Sequence, residues 1–473
     1  MLMSVKDLLQ ELVRIPSVNP TFLGADPLCC GESGITDFLE NFFEKKGWPW
    51  LRQVVHPGRD NLAVVYRCDD SSTGRGPILW EVHQDTVGVA GMKIDPFAAA
   101  ESEGRIWGRG ACDVKGGMAA MLTALARIEA EGTALPQPIV LAMTINEECG
   151  FTGVKALCRL WNHEQRGNHE QRGNHGQRAD HGQRGQTGRP ERSDEPSSID
   201  QQTTAEAEQL SGPLSPAEFR ELRPERAIVA EPTALDVVVA HKGSVRWRCH
   251  AHGKAAHTSR PDRGRNAISV MVRVVQAIEQ YQADVLSHRD AHRSCGRPTV
   301  CVSTIQGGSG VNTVPDHAVI DIDRRLVPGE TPVGAYQELV DYIAARIDDI
   351  KAETYGGSGA FGGAERNEAS IEHEPPSNQS VGLQDTDNRT WAEQIAATVN
   401  SIGTSTDAGA LSDRSRLIGV PYGTDAWALA EAGIPTVVFG PGSIDQAHTE
   451  DEWIDVQQLE RATEIFYRIA VGR

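Results

Sequence analysis

A chain of 473 residues is too long for one hydrophobic core, so two or more domains are expected. Its 46 basic and 65 acidic residues give a formal net charge of −19, which speaks against a nucleic-acid or anionic-membrane partner, since either needs a basic face. The nine cysteines are scattered and odd in number, a pattern of free thiols in a reducing compartment.

The opening segment, Met-Leu-Met-Ser-Val-Lys-Asp, has no signal-peptide core, and no apolar run reaches membrane-spanning length. A cytoplasmic protein is therefore expected. Ser4 with Asp7 reads as a helix N-cap, and Val5, Leu8, Leu9 and Leu12 form one apolar face. Ile35, Phe38, Leu39, Phe42 and Phe43 form a second helical face. Strands are expected over 61–66 and 78–82, then a helix over 116–130, a strand over 139–145, a helix over 153–160 and a strand over 227–230. Strands alternating with helices imply an α/β domain with a largely parallel sheet.

Segment 162–216 breaks this pattern. Asn-His-Glu-Gln-Arg-Gly occurs at 162 and 168, and degenerate copies follow at 174 and 180. With so few aliphatic residues it reads as a disordered low-complexity insertion. His163, His169, His175 and His181 can bind metal adventitiously, but repeat expansion without function is the simpler reading. Segment 355–367, rich in Gly and Glu, reads as a loop insertion. Strands at 245–251, 299–305, 318–324 and 370–373, with helices at 266–281 and 332–350, follow the β-α-β-β-α-β order of a ferredoxin-like sandwich. The α/β pattern resumes with helices at 390–399 and 425–432 and a strand at 436–439. The expected division is thus 1–237 and 377–473 for one domain and 238–376 for a second one inserted into it.

The residues with chemistry lie at the ends of these strands. His83 and Asp85 follow the strand at 78–82 and share a strand face, and Asp85 can back the imidazole as carboxylates commonly do behind a metal-bound histidine. Asp113, in Gly108-Arg-Gly-Ala-Cys-Asp113-Val-Lys-Gly-Gly, stands before a helix, where an N-cap is the competing reading. Glu147 and Glu148 close the apolar run 139–145 with no basic residue before Lys155. A buried acid without a positive partner is costly, and a metal is one remedy. Adjacent residues point differently, so one carboxylate can bind a cation while the other faces a substrate. Glu231 follows a short strand and precedes Pro232; a solvent-facing strand end competes there. His448 lies in Gly440-Pro-Gly-Ser-Ile-Asp-Gln-Ala-His448, where an exposed loop histidine competes. Together these residues fall where open α/β sheets bind ligands. Two histidines with three carboxylates suit zinc and suffice for two ions.

The ordered set His83-x-Asp85, Asp113, Glu147-Glu148, Glu231 and His448 is similar to the dizinc metallopeptidase family of acetylornithine deacetylase, succinyl-diaminopimelate desuccinylase, aminoacylase-1 and carboxypeptidase G. Lys254-Ala-Ala-His257-Thr-Ser-Arg-Pro, Gly307-Gly-Ser-Gly-Val-Asn312 and Asp323-Arg-Arg325-Leu-Val-Pro-Gly resemble its lid motifs. The similarity covers nearly the whole chain apart from the two low-complexity segments. It implies a zinc-peptidase-like catalytic domain with a mixed, mostly parallel sheet, and an inserted ferredoxin-like α+β lid and dimerisation domain. It further implies two zinc ions, which cobalt can replace. His83 and Glu231 would bind one ion, Glu148 and His448 the other, and Asp113 both. Asp85 would orient His83, and Glu147 would be the general base. His257 would reach a neighbouring subunit's site to stabilise the oxyanion, which implies a homodimer. Arg325 and Asn312 would hold the substrate carboxylate.

The segment ending at His448 resembles the acetylornithine deacetylase branch, so an N-acyl amino acid such as N-acetylornithine is the expected substrate. Desuccinylase, dipeptidase and carboxypeptidase activities are the alternatives. A non-catalytic binding protein on this fold would have lost Glu147 or a ligand, and neither is lost here.

Overall fold

The computed structural model describes residues 3–22, 29–66, 74–162, 209–355, 370–402 and 415–473. The repeat stretch 163–208 and nearly all of the loop expected at 355–367 lie outside the described residues.

Helix α1 (Val5–Arg14) begins where Ser4 Oγ accepts the Asp7 N–H, and it buries Val5, Leu8, Leu9, Leu12 and Val13. Helix α2 (Ser33–Lys46) stops at Gly47, which takes the left-handed conformation a C-terminal cap needs. Strands β1 (Trp50–His56) and β2 (Arg59–Tyr66) form an antiparallel hairpin. Strand β1 was not expected from sequence, because Gln53 interrupts its apolar face. That residue is buried and satisfied instead, donating to the Ala156 carbonyl and accepting from Asn61. Strand β3 (Ile78–His83) is buried throughout. A small sheet from β4 (Ala100–Ser102) and β5 (Arg105–Trp107) precedes helix α3 (Lys115–Glu131), strand β6 (Ile139–Thr144) and helix α4 (Thr152–Asn162).

Strand β7 (Leu210–Ser211) pairs with β1, and Ser215 with Glu218 builds a capping box at the start of α5 (Pro216–Glu221). The end of the 162–216 segment is therefore structured, a correction to its reading as one disordered insertion. Strands β8 (Arg226–Val229) and β9 (Val237–His241) follow. In the inserted unit come β10 (Gly243–His252), β11 (Ala256–His257), α6 (Ala267–Asp284), β12 (Thr299–Gly307), β13 (Thr313–Val314), β14 (His317–Leu326), α7 (Pro332–Tyr355), β15 (Ser370–His373) and β16 (Asn378–Ser380). The chain closes with α8 (Arg389–Ser401), β17 (Leu417–Val420), α9 (Ala426–Glu431), β18 (Thr436–Val438), β19 (Trp453–Asp455) and α10 (Val456–Val471).

The large sheet runs β17-β9-β18-β8-β3-β6-β2-β1-β7. Its central strands β18, β8, β3 and β6 are parallel, and β6, β2, β1 and β7 are antiparallel. The central strands are largely apolar because helices cover both faces, though β3 also buries Glu81, which accepts from Thr144. One face packs on α1, α2, α3, α8 and α10, and the other on α4, α5 and α9. The smaller sheet, β12-β14-β10-β15 with β16 also on β10, is antiparallel and carries α6 and α7 on one face only. Hence β10 alternates, with Val245, Trp247, Cys249 and Ala251 facing the helices. Strand β9, an unbroken Val-Val-Val-Ala run, hydrogen-bonds in the large sheet, so the crossing into the smaller sheet falls at Lys242 rather than at 238. Strand β16 likewise carries the smaller sheet past 376. Among the described residues no helix is long and apolar enough to cross a membrane.

Candidate active site

Strands β3, β6 and β8 are parallel neighbours, so their C-terminal ends deliver His83, Glu147-Glu148 and Glu231 to one edge of the sheet. Asp113 arrives from the loop before α3 and His448 from the loop after β18. His83, Asp113 and Glu231 each present a donor atom within 4.8 Å of the others, and so do Asp113, Glu148 and His448. Asp113 belongs to both groups. His83 Nε2 lies 3.2 Å from Asp113 Oδ1, while His448 Nε2 lies 3.3 Å from Asp113 Oδ2 and 3.2 Å from Glu148 Oε2.

The competing readings of Asp113 and Glu231 fail, while that of His448, exposed and in a loop, holds only in part. The carboxylate of Asp113 caps nothing, since the helix starts after Val114 without a side-chain cap. Glu231 is buried rather than solvent-facing. His448 does sit in a loop, with a left-handed backbone at φ 62°, but its ring turns onto Asp113 and Glu148.

Asp85 acts differently from expectation. His83 Nδ1 donates to its backbone carbonyl at 2.8 Å, and the carboxylate stands 3.7 Å from that nitrogen. The carboxylate instead accepts the backbone N–H groups of Glu147 and Glu148 at 3.1 and 3.2 Å, and the Asn19 amide at 2.8 Å. It thus ties down the turn that splays the two glutamates. That turn passes through Asn146 at φ 62°, a conformation asparagine tolerates.

The loop bearing Asp113 has its own brace, which sequence reasoning missed. Glu452 Oε1 accepts the backbone N–H groups of Cys112 and Asp113 at 2.9 and 3.0 Å, and its other oxygen accepts from Arg109. Nothing in the sequence distinguishes Glu452 from its acidic neighbours Glu450 and Asp451.

The charges do not balance. Burial, with Glu231 and other carboxylates nearby, holds Glu147 well above the usual carboxylate range, and burial does the same to Glu231 beside Asp113. Burial would lower His448, but its hydrogen bonds to Asp113 and Glu148 prevail and raise it to about 10. His83 is raised well above its usual value in the same way, burial being outweighed by Asp113 and Glu231. Asp113 is lowered: burial pushes it up, and the two histidines more than reverse that. Among the described residues no side-chain donor hydrogen-bonds the buried carboxylates of Glu147 or Glu231. Buried acids left this way, beside imidazole nitrogens, fit a divalent cation.

Three expected residues lie elsewhere. His257 ends β11 and Asn312 immediately precedes β13, both exposed, and the Thr258 N–H donates to the Asn312 carbonyl. His257 Nδ1 accepts the Ser259 N–H at 3.1 Å, which leaves the proton on Nε2. Arg325 points to the open face of the smaller sheet and pairs with Asp323 at 2.9 Å. Arg324, one residue earlier, faces the helices, fully buried against Glu330. Among the described residues no hydrogen bond or ion pair joins His257, Asn312 or Arg325 to the five clustered residues.

The profile of peptidase family M20/M25/M40 matches residues 79–471, and the chain belongs to that family. It is 25% identical over 443 residues to the acetylornithine deacetylase of Myxococcus xanthus, covering 92% of this chain and 90% of that one. It is 24% identical over 463 residues to the acetylornithine deacetylase of Proteus mirabilis, covering 97% and 94%. In fold it matches a tripeptidase from Staphylococcus aureus at 19% identity and TM-score 0.64, covering 99% of this chain and 98% of that one. A family metallo-carboxypeptidase from Sulfolobus solfataricus matches at 15% identity and TM-score 0.64 over the full length of both. The chain is a metal-dependent hydrolase with a candidate metal-ligand cluster.

Proposed function

We propose that the chain hydrolyses the amide bond of an N-acyl amino acid, with N-acetylornithine as the leading substrate, at a pair of zinc ions. The observation that carries this reading is the sharing of Asp113 between two donor groups, with the Glu147 carboxylate unengaged beside them. His83 and Glu231 would hold one ion, Glu148 and His448 the other, and Asp113 would contribute to both. The three carboxylates offset most of the charge of two divalent ions. When bound, the metal pair supplies Lewis acidity toward the substrate carbonyl and acidifies a water molecule.

The chain's own residues do the rest. Glu147 takes a proton from the attacking water and returns it to the leaving amine nitrogen. His257, contributed by a second copy of the chain, donates from Nε2 to the carbonyl oxygen as that atom gains charge. Arg325 exchanges Asp323 for the substrate carboxylate, and Asn312 assists. The exposure of His257 and its free Nε2 support a role in a neighbouring copy's site, hence a homodimer. The described cysteines are all free, which supports a reducing, cytoplasmic setting.

The two relatives near one-quarter identity favour deacetylation, whereas the tripeptidase and carboxypeptidase neighbours share only the fold. Amine release by zinc-loaded protein from N-acetylornithine, N-succinyl-diaminopimelate and a dipeptide panel tests the reading. The expected result is the highest kcat/KM on N-acetylornithine. A dipeptide turned over faster would replace deacetylase by dipeptidase, and hydrolysis of none would retire both.

A further inference from the structure

The open face of the smaller sheet is a ladder of paired charges. Arg246 meets Asp323 at 2.9 Å and Arg248 meets Asp321 at 3.0 Å across β10 and β14. Farther along β10 the cations give way to histidines. His250 and His252, two residues apart, point to this face, and His317 opposes His252 directly across the strand pair. The rings of His250 and His252 lie 5.4 and 5.5 Å from that of His317, centroid to centroid.

The polar contacts orient these rings in a specific way. His250 Nε2 lies 2.7 Å from Glu374 Oε1, so the carboxylate holds the proton there and leaves Nδ1 as a lone pair. That Nδ1 faces His317 Nε2 at 3.1 Å. His252 repeats the arrangement, its Nε2 lying 3.2 Å from Glu372 Oε2. An imidazole backed by a carboxylate is the usual form of a metal-binding histidine, because the carboxylate fixes the tautomer and raises the basicity of the free nitrogen. Two imidazole nitrogens on one tetrahedral ion, each at the ordinary zinc–nitrogen distance, stand about 3.3 Å apart. The His250–His317 separation is close to that.

We propose that His250 Nδ1 and His317 Nε2 bind a divalent transition metal on the open face of the smaller sheet, with solvent completing the shell. Glu374 is a positioning residue that holds the His250 ring by its far nitrogen. Imidazole donors select the zinc, nickel and copper class over magnesium or calcium. An ion there clamps β10 to β14 and, through that glutamate, to the β15 segment. No described hydrogen bond or ion pair links this cluster to the Asp113 centre, so the proposal stands apart from the amide reaction.

The test is a Zn2+ titration of zinc-replete, full-length protein without a polyhistidine tag, read by competition with a chromophoric chelator. The native chain should take up one more zinc per chain than either His250→Gln or His317→Gln. Glu374→Gln should retain that extra ion with affinity lower by about 10–100-fold. Amide hydrolysis should be unchanged in all three. The repeat histidines are common to every protein compared, so they cancel in the difference. Equal zinc uptake with equal affinity by the native chain and both histidine variants would overturn the proposal.

Discussion

Replacing Glu452 by alanine should damage the metal centre from behind. The substitution strands Arg109, which is 3% exposed and whose guanidinium otherwise donates only to the Thr449 carbonyl among the described residues. Removing one partner of a buried ion pair typically lowers stability by about 3–5 kcal/mol. It also leaves the Cys112 and Asp113 N–H groups without their acceptor, and each such loss is on the order of 1–3 kcal/mol. These effects overlap, so a total near 4 kcal/mol is expected, a large fraction of the roughly 5–15 kcal/mol that keeps a typical domain folded. The freed loop should no longer present Asp113 to both histidines, and zinc content should drop with it. Glu452→Gln keeps an oxygen for the two N–H groups and loses only the charge, so its effect should be clearly smaller. Urea unfolding of metal-free protein, with metal analysis of zinc-loaded protein, measures both consequences. An alanine variant within about 1 kcal/mol of the native chain, with full zinc, would refute the brace.

Metal-free protein should lose stability as pH rises from about 4 toward 7. Burial raises Asp425 to about 7 and also raises Glu81, Glu147 and Glu231. These carboxyls hold protons in the folded state that the unfolded chain releases above about pH 4, so folding weakens as pH climbs through that window. His448, raised to about 10, acts in the same direction, its contribution being complete below about 6.5 and lost toward 10. Urea unfolding near pH 5 and near pH 7.5 checks the slope, and a flat or rising stability would contradict it. His257→Ala should cut kcat by about two orders of magnitude or more, as loss of one oxyanion donor does, while zinc content and stability hold; an unchanged kcat removes it from the reaction. Replacing residues 163–208 by a short Gly-Ser linker should leave zinc content of the Asp113 centre and kcat/KM intact, since loop-closure entropy varies slowly with length. A loss of activity in that variant would give the repeat a function.

The strands that carry the centre were legible because β3, β6 and β8 are mostly apolar runs, interrupted in β3 by Glu81, that lead into His83, Glu147 and Glu231. That contrast between apolar run and ionisable end survives in one dimension. Strand β1 was hidden because Gln53 satisfies itself through Ala156 and Asn61, partners distant in sequence. Helix α10 repeats Leu459, Ala462, Phe466 and Ile469 on its buried side but lies beyond the last element expected from the sequence. The roles of Asp85 and Glu452 were not legible at all. Each acts by accepting backbone N–H groups, and any acid of suitable reach looks the same in sequence. That Arg325 rather than its neighbour Arg324 faces the open side depends on the pleat of β14, which turns Arg324 inward to Glu330.

The division of labour between the two adjacent glutamates can be read from one variant, Glu147→Gln. Metal content and turnover of the best substrate should be measured on the same zinc-loaded preparation. Zinc should stay near two per chain at the Asp113 centre while turnover falls by about two to four orders of magnitude, as for loss of a general base. Loss of zinc, or turnover close to native, would contradict that division of labour.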